Sequence, residues 1–409
     1  MSHATSPSAP RPLRLLMATD SWKPQLNGVS VVTATMVDGL RDAGWEVDVL
    51  APRLARDRAQ EAAPGNPRWL DAVSLPGYAD VRVARPQWAR VREAFDRVQP
   101  DLVHCATEFV VGRMARIEAT RRGIPYTTSY HTDFASYTRS YGIAWLRRPV
   151  SRWLTHSHRR AALTFTPSES ACRDLHDRGL RRVAVWGRGI DTTHFHPRHR
   201  RRDVHEVPGA RTPFTFLYVG RLAPEKNLPV LLDAFLATRL ARPDVPMQLQ
   251  IVGDGPLAEW VKDWIVRHAP DVVHCFGARS RETELPQLYA DADALLFAST
   301  TETLGLSVLE AMASGTPVVA VPAGGVGEHV FDGVNGLACV ANNPASMSSA
   351  MLRLLDDPAL RVRLGCGARR HAERFGAGAE LRRLDRLMRR GACEAGVGGA
   401  GGGGGGGAD

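Results

Sequence analysis

The sequence predicts an α/β protein made of two successive halves, each built around a parallel sheet, with a cleft between them. Short apolar runs alternate with longer amphipathic segments along residues 13–375, as in a series of β-α-β units. A polar, basic stretch without periodicity at 198–212 separates two such series, which is typical of a linker. Polar or glycine-rich turns follow several predicted strands, at the edge where open parallel sheets bind ligands.

The first half, residues 13–197, opens with a β-α-β unit. A strand over 13–19 is followed by a helix from about 29 to 43 and a strand over 46–50. Proline and glycine then separate the further elements of this half. The predicted strands are 101–105, 126–129, 163–167 and 183–186, and the predicted helices are 86–98, 109–122 and 169–178.

The second half, residues 213–375, repeats this alternation. Two helices are predicted between about 344 and 374, beginning at Pro344, a residue suited to the first helical position, and separated near Asp357 and Pro358. One more amphipathic helix, rich in arginine, is predicted over 380–390. The predicted strands are 214–219, 248–252, 272–275, 294–297 and 317–321.

Composition limits the class of protein. The 409 residues include 44% hydrophobic and 23% charged residues, as in a globular protein, and no run of apolar residues is long enough to span a bilayer. The leader at 1–12 lacks an apolar core and the tail at 391–409 is nearly all glycine and alanine, so both are expected to be disordered. The six scattered cysteines predict neither a disulfide framework nor a zinc site, which favours a reducing, cytoplasmic location.

The net charge of +9 favours anionic partners, although no nucleic-acid-binding motif is present. Aromatic and basic residues are mixed between Tyr137 and Arg160, including Trp145 and Trp153. This stretch is expected either to lie against a membrane surface or to form a helix with one buried face. We favour the membrane surface, and expect peripheral contact with an anionic membrane.

Residues 295–325 predict a strand, a polar turn, a helix and a second strand. The backbone amides of Thr303, Leu304 and Gly305 lie where the helix starts, so the helix dipole would favour an anion there. Glu302 precedes these amides and Glu310 lies inside the helix. The turn is therefore expected to hold a sugar phosphate, with carboxylates for sugar hydroxyls; alternatively Glu302 is a capping acid and Glu310 a solvated helix residue.

Other predicted strand ends carry matching chemistry. Arg221 and Lys226 follow the first strand of the second half, where they could neutralise a diphosphate or simply be surface charges. Gly28 precedes a helix in the first half, where the absence of a Cβ allows a phosphate to approach closely, although taken alone an ordinary turn is the better explanation. His131 follows a strand of the first half, and Gly253 one of the second.

Taken together, these segments resemble family 4 of the retaining glycosyltransferases, over nearly the whole chain between Arg14 and Arg390. That family has the GT-B fold, in which two Rossmann-like domains face each other across a cleft. The segments that carry the resemblance are TETLGLSVLEAMASGTPVVA with its E-x7-E pair, GRLAPEKN, the Asn27-Gly28 dipeptide, SYHTDF, GRGID and GDGP, in the expected order.

The resemblance implies roles for individual residues. Arg221 and Lys226 would hold the donor diphosphate, together with amides near Gly28 and at Leu304 and Gly305. Glu302 would contact hydroxyls of the transferred sugar, and Glu310 the ribose. It further implies that His131 lies by the anomeric carbon, that Thr303 and Gly253 line the donor site, and that the last helix, 376–390, returns to the N-terminal domain.

The resemblance also implies a reaction class. The enzyme would need no metal and no cofactor, because Asp291 and Asp293 precede a strand rather than following one, and the nucleotide sugar is itself a substrate. The segments look most like bacterial GDP-mannose-dependent α-mannosyltransferases, and also like UDP-sugar-dependent diacylglycerol glycosyltransferases. The expected donor is a GDP- or UDP-hexose and the expected acceptor a lipid-linked or glycan hydroxyl, at the inner face of the plasma membrane. The alternatives are a non-hydrolysing UDP-sugar 2-epimerase and a non-catalytic sugar-nucleotide-binding protein.

Overall fold

A computed structural model describes residues 11–23, 28–53, 68–75, 78–131, 144–187, 189–201 and 212–397. Within these ranges the chain folds as two α/β domains, each a parallel sheet with apolar clusters packed against both faces. The predicted α/β class is therefore confirmed. No helix of the described ranges has both the length and the apolar character needed to cross a bilayer.

The N-terminal domain contains a parallel sheet and a short antiparallel hairpin. Its strands are β1 (Arg14–Ala18), β2 (Glu46–Pro52), β3 (Arg68–Leu70), β4 (Ala72–Leu75), β5 (Tyr78–Ala84), β6 (Leu102–Cys105), β7 (Tyr126–Ser129), β8 (Leu163–Thr166) and β9 (Val183–Val185). Its described helices are α1 (Gly28–Asp42), α2 (Trp88–Val98), α3 (Val110–Arg122), α4 (Arg147–His158) and α5 (Glu169–Asp177). The parallel sheet has the order β3-β2-β1-β6-β7-β8-β9, and β4 pairs with β5.

The C-terminal domain is built on a second parallel sheet. Its strands are β10 (Phe214–Val219), β11 (Met247–Val252), β12 (Val273–Cys275), β13 (Ala294–Phe297), β14 (Val318–Ala320) and β15 (Gly336–Ala338). The helices after the linker are α6 (Leu228–Ala241), α7 (Ala258–His268), α8 (Leu285–Asp291), α9 (Leu306–Ala313), α10 (Pro344–Asp356), α11 (Pro358–Glu373) and α12 (Ala377–Val397). The strand order is β12-β11-β10-β13-β14-β15. All six residues of β10 are buried, as expected for a central strand covered on both faces.

The last helix, α12, packs on the N-terminal domain. Its residues Leu384 and Met388 are fully buried in the same apolar cluster as residues of β1 and α1. The indole Nε1 of Trp45 donates a hydrogen bond to Asp385 at 2.7 Å. The chain therefore returns to its first domain after completing the second.

The two chain crossings between the domains touch each other. Ile190 forms an isolated parallel bridge with Gly376. Its backbone N–H donates a hydrogen bond to the Phe375 oxygen at 2.8 Å, and its backbone oxygen accepts one from the Ala377 N–H at 3.0 Å. Gly189 has a positive φ of 65°, and a Cβ there would come within 2.6 Å of the Ala377 Cα. Glycine at 189 is what allows the two segments to lie side by side.

The structure differs from the sequence prediction at both termini. The predicted leader reaches residue 12, but Arg11 binds Asp101 with two side-chain hydrogen bonds of 2.6 and 2.9 Å; residues 1–10 lie outside the described ranges. The final helix continues to Val397 rather than ending at 390, because Gly391 packs closely against Thr127. The remainder of the predicted tail, 398–409, is also outside those ranges.

Two further predicted segments are only partly described. Of the predicted linker at 198–212, residues 202–211 lie outside the described ranges, while the backbone N–H of Arg201 binds Asp291 at 2.6 Å. In the aromatic and basic stretch, Tyr137 is not described, and α4 is a helix with one buried face, because Leu154 and His158 are buried. The same helix leaves Trp153 on its exposed side, so a buried face and an aromatic outer surface coexist.

Candidate active site

The carboxyl ends of β10 and β13 bring two predicted site residues into contact. Lys226, in the 3₁₀ turn Pro224–Lys226 after β10, donates a hydrogen bond from Nζ to the carboxylate of Glu302 after β13. The two side chains are only 13% and 15% exposed. A positive and a negative group are therefore held together at the sheet edge, with limited solvent around them.

Arg221 lies beside this pair and is held by buried groups. Its guanidinium donates to the carboxylate of Glu225, whose side chain is fully buried. The buried hydroxyl of Tyr218 donates to the backbone oxygen of Arg221 at 2.9 Å, and Ser299 donates to the backbone oxygen of Glu225 at 3.1 Å. Glu225 was given no role from the sequence, although an acid four residues after Arg221 has the spacing of an ion pair.

The loop that carries Glu302 packs against two glycines, Gly324 and Gly325. Neither was predicted to belong to the site. Gly324 and Gly325 begin the 3₁₀ helix Gly324–Glu328, and Gly325 donates its N–H to the backbone oxygen of Glu302 at 2.8 Å. A Cβ at either glycine would come within 2.3 Å of a backbone oxygen of Glu302 or Thr303. Only glycine allows this close packing.

Gly305 ends the loop and opens α9. It has a positive φ of 79°, and a Cβ there would lie 2.6 Å from Val326. Leu304, next to it, is buried. The helix begins at Leu306, as the apolar spacing predicted, so the amides of 303–305 lie in the loop just before its first turn, and their predicted role in anion binding stays a prediction.

Glu310 lies inside the domain, with protein partners for both of its carboxylate oxygens. Oε1 accepts a hydrogen bond from Arg281 Nε at 2.6 Å, and Oε2 accepts one from the Tyr289 hydroxyl at 2.9 Å. Burial raises the pKa of Glu310, and the charge of Arg281 opposes that shift. The structure does not make Glu310 a solvated helix residue; its predicted contact with the ribose stays a prediction.

The N-terminal domain brings His131 against this loop. His131 lies two residues after the end of β7, its side chain is buried, and its backbone oxygen accepts a hydrogen bond from Thr303 Oγ1 at 2.8 Å. Gly28 opens α1 at the carboxyl end of β1, and a Cβ there would meet nothing within 4 Å. The two sheet edges therefore face each other, with Thr303 and His131 in contact between the domains.

Gly253 has a packing reason for being glycine. It follows β11 with a φ of 143°, and a Cβ there would lie 1.9 Å from the backbone oxygen of Gly220. Its position keeps the loops after β10 and β11 in contact, and its predicted role in donor binding stays a prediction.

A second link between the domains involves Glu328, which the sequence did not single out. Its two carboxylate oxygens accept hydrogen bonds from the backbone N–H groups of Glu169 and Ser170, at 3.0 and 2.6 Å. These groups form the N-terminus of α5, where a negative charge is favoured by the helix dipole. Glu328 therefore ties the loop after β14 to the opposite domain.

The acidic pair Asp291 and Asp293 lies away from this edge. Asp293 accepts a hydrogen bond from the backbone N–H of Thr215 at 2.9 Å, at the amino end of the sheet. In the part of the chain that the structure describes, no group of three histidine, cysteine, aspartate or glutamate residues is arranged to hold a metal ion.

Comparison with known proteins gives consistent matches to both halves. The family model described as "Glycosyltransferase Family 4" matches residues 26–194, and that described as "Glycosyl transferases group 1" matches residues 200–371. A GDP-mannose-dependent alpha-mannosyltransferase of Mycolicibacterium smegmatis is 34% identical over 371 residues, which cover 88% of this chain and 92% of the relative. The sulfoquinovosyl transferase SQD2 of Arabidopsis thaliana is 30% identical over 311 residues, 73% of this chain and 58% of the relative.

Among solved structures, Anabaena HepE in complex with UDP superimposes with a TM-score of 0.72 at 20% identity, covering 92% of this chain and 100% of that one. At this level of identity the likeness shows the fold.

Proposed function

This chain belongs to glycosyltransferase family 4, and from that membership we propose that it transfers mannose from GDP-mannose to a lipid-linked or glycan hydroxyl, with retention of configuration. It is a nucleotide-sugar glycosyltransferase with the GT-B fold. GDP-mannose is favoured because the mannosyltransferase relative from Mycolicibacterium smegmatis aligns with almost the whole chain.

One observation carries the proposal: groups suited to a sugar diphosphate converge at facing sheet edges. Lys226 and Glu302 are paired on one side, and Thr303 links that loop to His131 on the other. A cation, a carboxylate and a helix start within one loop system can bind a diphosphate next to a sugar. A capping acid on a free surface would need none of these partners.

The proposed donor site uses these groups in separate roles. Arg221, Lys226 and the backbone amides that lead into α9, at Leu304 and Gly305, neutralise the diphosphate as it leaves, with no metal and no cofactor required. Glu302 accepts hydrogen bonds from hydroxyls of the transferred sugar. Gly28 lets the diphosphate approach from the N-terminal domain.

The remaining predicted residues complete this arrangement. Glu310 orients the ribose side of the site through its buried pair with Arg281, and Gly253 keeps the neighbouring loop close. His131 borders the anomeric carbon. The acceptor hydroxyl attacks that carbon on the face from which the nucleotide departs, and a phosphate oxygen of the leaving nucleotide takes its proton.

The direct test is donor binding by Lys226→Ala. Loss of a charged hydrogen bond predicts weaker binding of the donor nucleotide by about 1.5–3 kcal/mol. Isothermal titration with GDP, UDP and ADP, followed by assays with the matching sugar donors, identifies the nucleotide. Lys262→Ala is the matched control, because Lys262 is exposed and pairs with the exposed Glu259 on the surface of α7. Equal affinities in the two variants would contradict the assignment.

Retention and metal independence have their own readouts. NMR of the product sugar should show the α-anomer, and excess EDTA should leave the rate unchanged. A covalent glycosyl-enzyme trapped on a carboxylate would refute the same-face reaction.

A second candidate is transfer from a UDP-sugar to diacylglycerol. It is favoured by the 30% identity to the Arabidopsis sulfoquinovosyl transferase. Turnover with UDP-glucose or UDP-sulfoquinovose and diacylglycerol, but not with GDP-mannose, would establish it. A 2-epimerase would convert UDP-GlcNAc alone, and a non-catalytic binding protein would turn over no donor.

If the acceptor is lipid-linked, the enzyme acts at the inner face of the plasma membrane. We propose a cytoplasmic location and peripheral contact with an anionic membrane, supported by the net charge of +9 and by the exposed Trp145 and Trp153. Nucleic acid is not among the proposed partners.

A further inference from the structure

The second half of α3 and the end of α4 enclose a strongly cationic pocket that the transfer reaction does not use. Its volume is about 600 Å³, within the range of small-molecule sites. The described residues that line it include no acid and five basic side chains: Arg116, Arg121, His156, Arg159 and Arg160.

The pocket is separate from the cleft. Arg159 and Arg160 precede β8, and Tyr126 beside the pocket is the first residue of β7. His131 follows the opposite, carboxyl end of β7. Cations at the amino end of the sheet cannot contact a donor held at its carboxyl edge.

Ordinary structural roles account for only part of this charge. Basic side chains near a helix C-terminus are favoured by the dipole, which explains Arg121 and Arg159. Arg121 also lies 3.9 Å from Glu118, but that carboxylate already receives a closer bond from Arg122, at 2.7 Å. Within the described part of the chain, Arg159 and Arg160 form no ion pair with any carboxylate.

A buried hydroxyl lies close to two of these arginines. Tyr126 is buried and is not itself one of the residues that line the pocket. Burial raises the pKa of Tyr126, while the charge of Arg116, a hydrogen bond from Arg116 and the charge of Arg160 oppose that rise, so both guanidinium groups lie close to the hydroxyl. Arg116 is half-buried in the middle of α3, where the helix dipole does not explain it.

We propose that this pocket binds a phosphate group, with the guanidinium groups of Arg116, Arg159 and Arg160 as its ligands. Arginine binds phosphate through paired N–H donors, and a site with several arginines and no acid is selective for an anion of multiple charge. The phosphate belongs either to a lipid headgroup or to a small soluble phosphate compound. The inference is independent of the donor and acceptor proposed above.

The test compares two double variants that remove the same charge. Arg159→Gln with Arg160→Gln changes the pocket, whereas Arg239→Gln with Arg370→Gln removes two exposed arginines from the C-terminal domain. All four side chains are exposed, so both variants should fold, as checked by thermal melting. Inorganic phosphate is titrated by calorimetry at low ionic strength, and vesicles of phosphatidylcholine with and without phosphatidylglycerol are tested by co-sedimentation.

The pocket variant should bind inorganic phosphate roughly tenfold more weakly or worse, while the control matches the unchanged protein. Phosphate bound in the cleft contributes equally to both variants, because Arg221 and Lys226 are intact in each. A parallel loss of binding to phosphatidylglycerol vesicles would identify a lipid headgroup, and unchanged vesicle binding would identify a soluble phosphate compound. If the pocket variant binds phosphate as tightly as the control does, the proposal is wrong.

Discussion

At the scale of single residues, the Lys226–Glu302 pair decides how charge is balanced in the cleft. Before a donor binds, Glu302 compensates Lys226, and both side chains are largely removed from water. A diphosphate would share Lys226 and leave the carboxylate for sugar hydroxyls. The pair therefore keeps each partner from being a buried, uncompensated charge when the site is empty.

Replacing Glu302 by Gln should separate binding from turnover. The amide keeps the shape of the side chain but removes the charge, so Lys226 remains available to a diphosphate. We expect nucleotide affinity equal to or tighter than that of the unchanged protein, and kcat lower by about a hundredfold or more. Calorimetry and initial rates measure the two quantities, with the exposed Glu259→Gln as control. An unchanged kcat would contradict the role given to Glu302.

His104 predicts how stability depends on pH. Its ring is completely buried between Thr127 and Ser129, at 2.8 and 2.9 Å, and burial lowers its pKa from 6.5 to about 3. Between these two pKa values, His104 is therefore protonated in the unfolded chain and neutral in the folded protein. The stability contributed by the neutral ring is complete above about pH 6.5 and is lost as the pH falls towards the folded pKa.

Lowering the pH from 7 to 5 should cost about 2 kcal/mol of unfolding free energy through His104 alone. Urea unfolding at the two pH values measures the total loss. His104→Gln should reduce that loss by the same amount, even though the variant is less stable at both pH values. The same loss in both proteins would show that His104 titrates normally in the fold.

At the scale of elements, Glu328 connects the 3₁₀ helix Gly324–Glu328 to the N-terminus of α5 in the other domain. Glu328→Ala removes an acceptor for two backbone N–H groups, which costs the closed arrangement about 1.5–3 kcal/mol. We expect kcat/KM to fall roughly tenfold and the radius of gyration in small-angle scattering to rise. The control is Glu259→Ala, whose exposed side chain pairs within α7. A variant that matches the control in both measurements would show that Glu328 does not hold the domains together.

Elements were more predictable than the contacts between them. The alternation of β10, α6 and β11 could be predicted because strands buried in a parallel sheet are continuous apolar runs, such as the predicted strand 214–219. The strand β15, Gly-Leu-Ala, was missed because it contains no β-branched or aromatic residue, whereas the equally short β14, Val-Val-Ala, was predicted. The hairpin of β4 and β5 was also missed.

In the site, the order of motifs placed Lys226, Glu302 and His131 at facing edges. Nothing local indicated that Arg281 would pair with Glu310, or Glu328 with α5. Those pairs join side chains far apart in the sequence, and their geometry is decided by how whole elements pack. The spacing of apolar residues in a sequence indicates whether a segment is a helix or a strand, but it does not indicate which distant residue a long side chain contacts.

At the scale of the whole molecule, the two domains meet through a few polar contacts and two adjacent chain crossings. Thr303 with His131 and Glu328 with α5 lie at the cleft, whereas Ile190 and Gly376 lie side by side at the crossings. Because the crossings are paired, we expect rotation about their common line to strain the backbone least. Opening of the cleft should therefore break the two polar contacts and leave the paired crossings intact.

Because α12 packs on the first domain, cleavage of the chain between the two domains should not separate them. A cut introduced at a protease site within residues 202–211 would leave one fragment with the N-terminal sheet and another with the C-terminal domain and α12. The second fragment would still insert Leu384 and Met388 into the core of the first. Such a nicked enzyme should run as one species on gel filtration and as two bands under denaturing conditions. Leu384→Asp should weaken the association of the fragments without abolishing it, because Ile190 and Phe195 of the first fragment stay buried in the C-terminal domain. A gene split at this position would then yield two polypeptides that assemble into one active transferase without any added fusion partner.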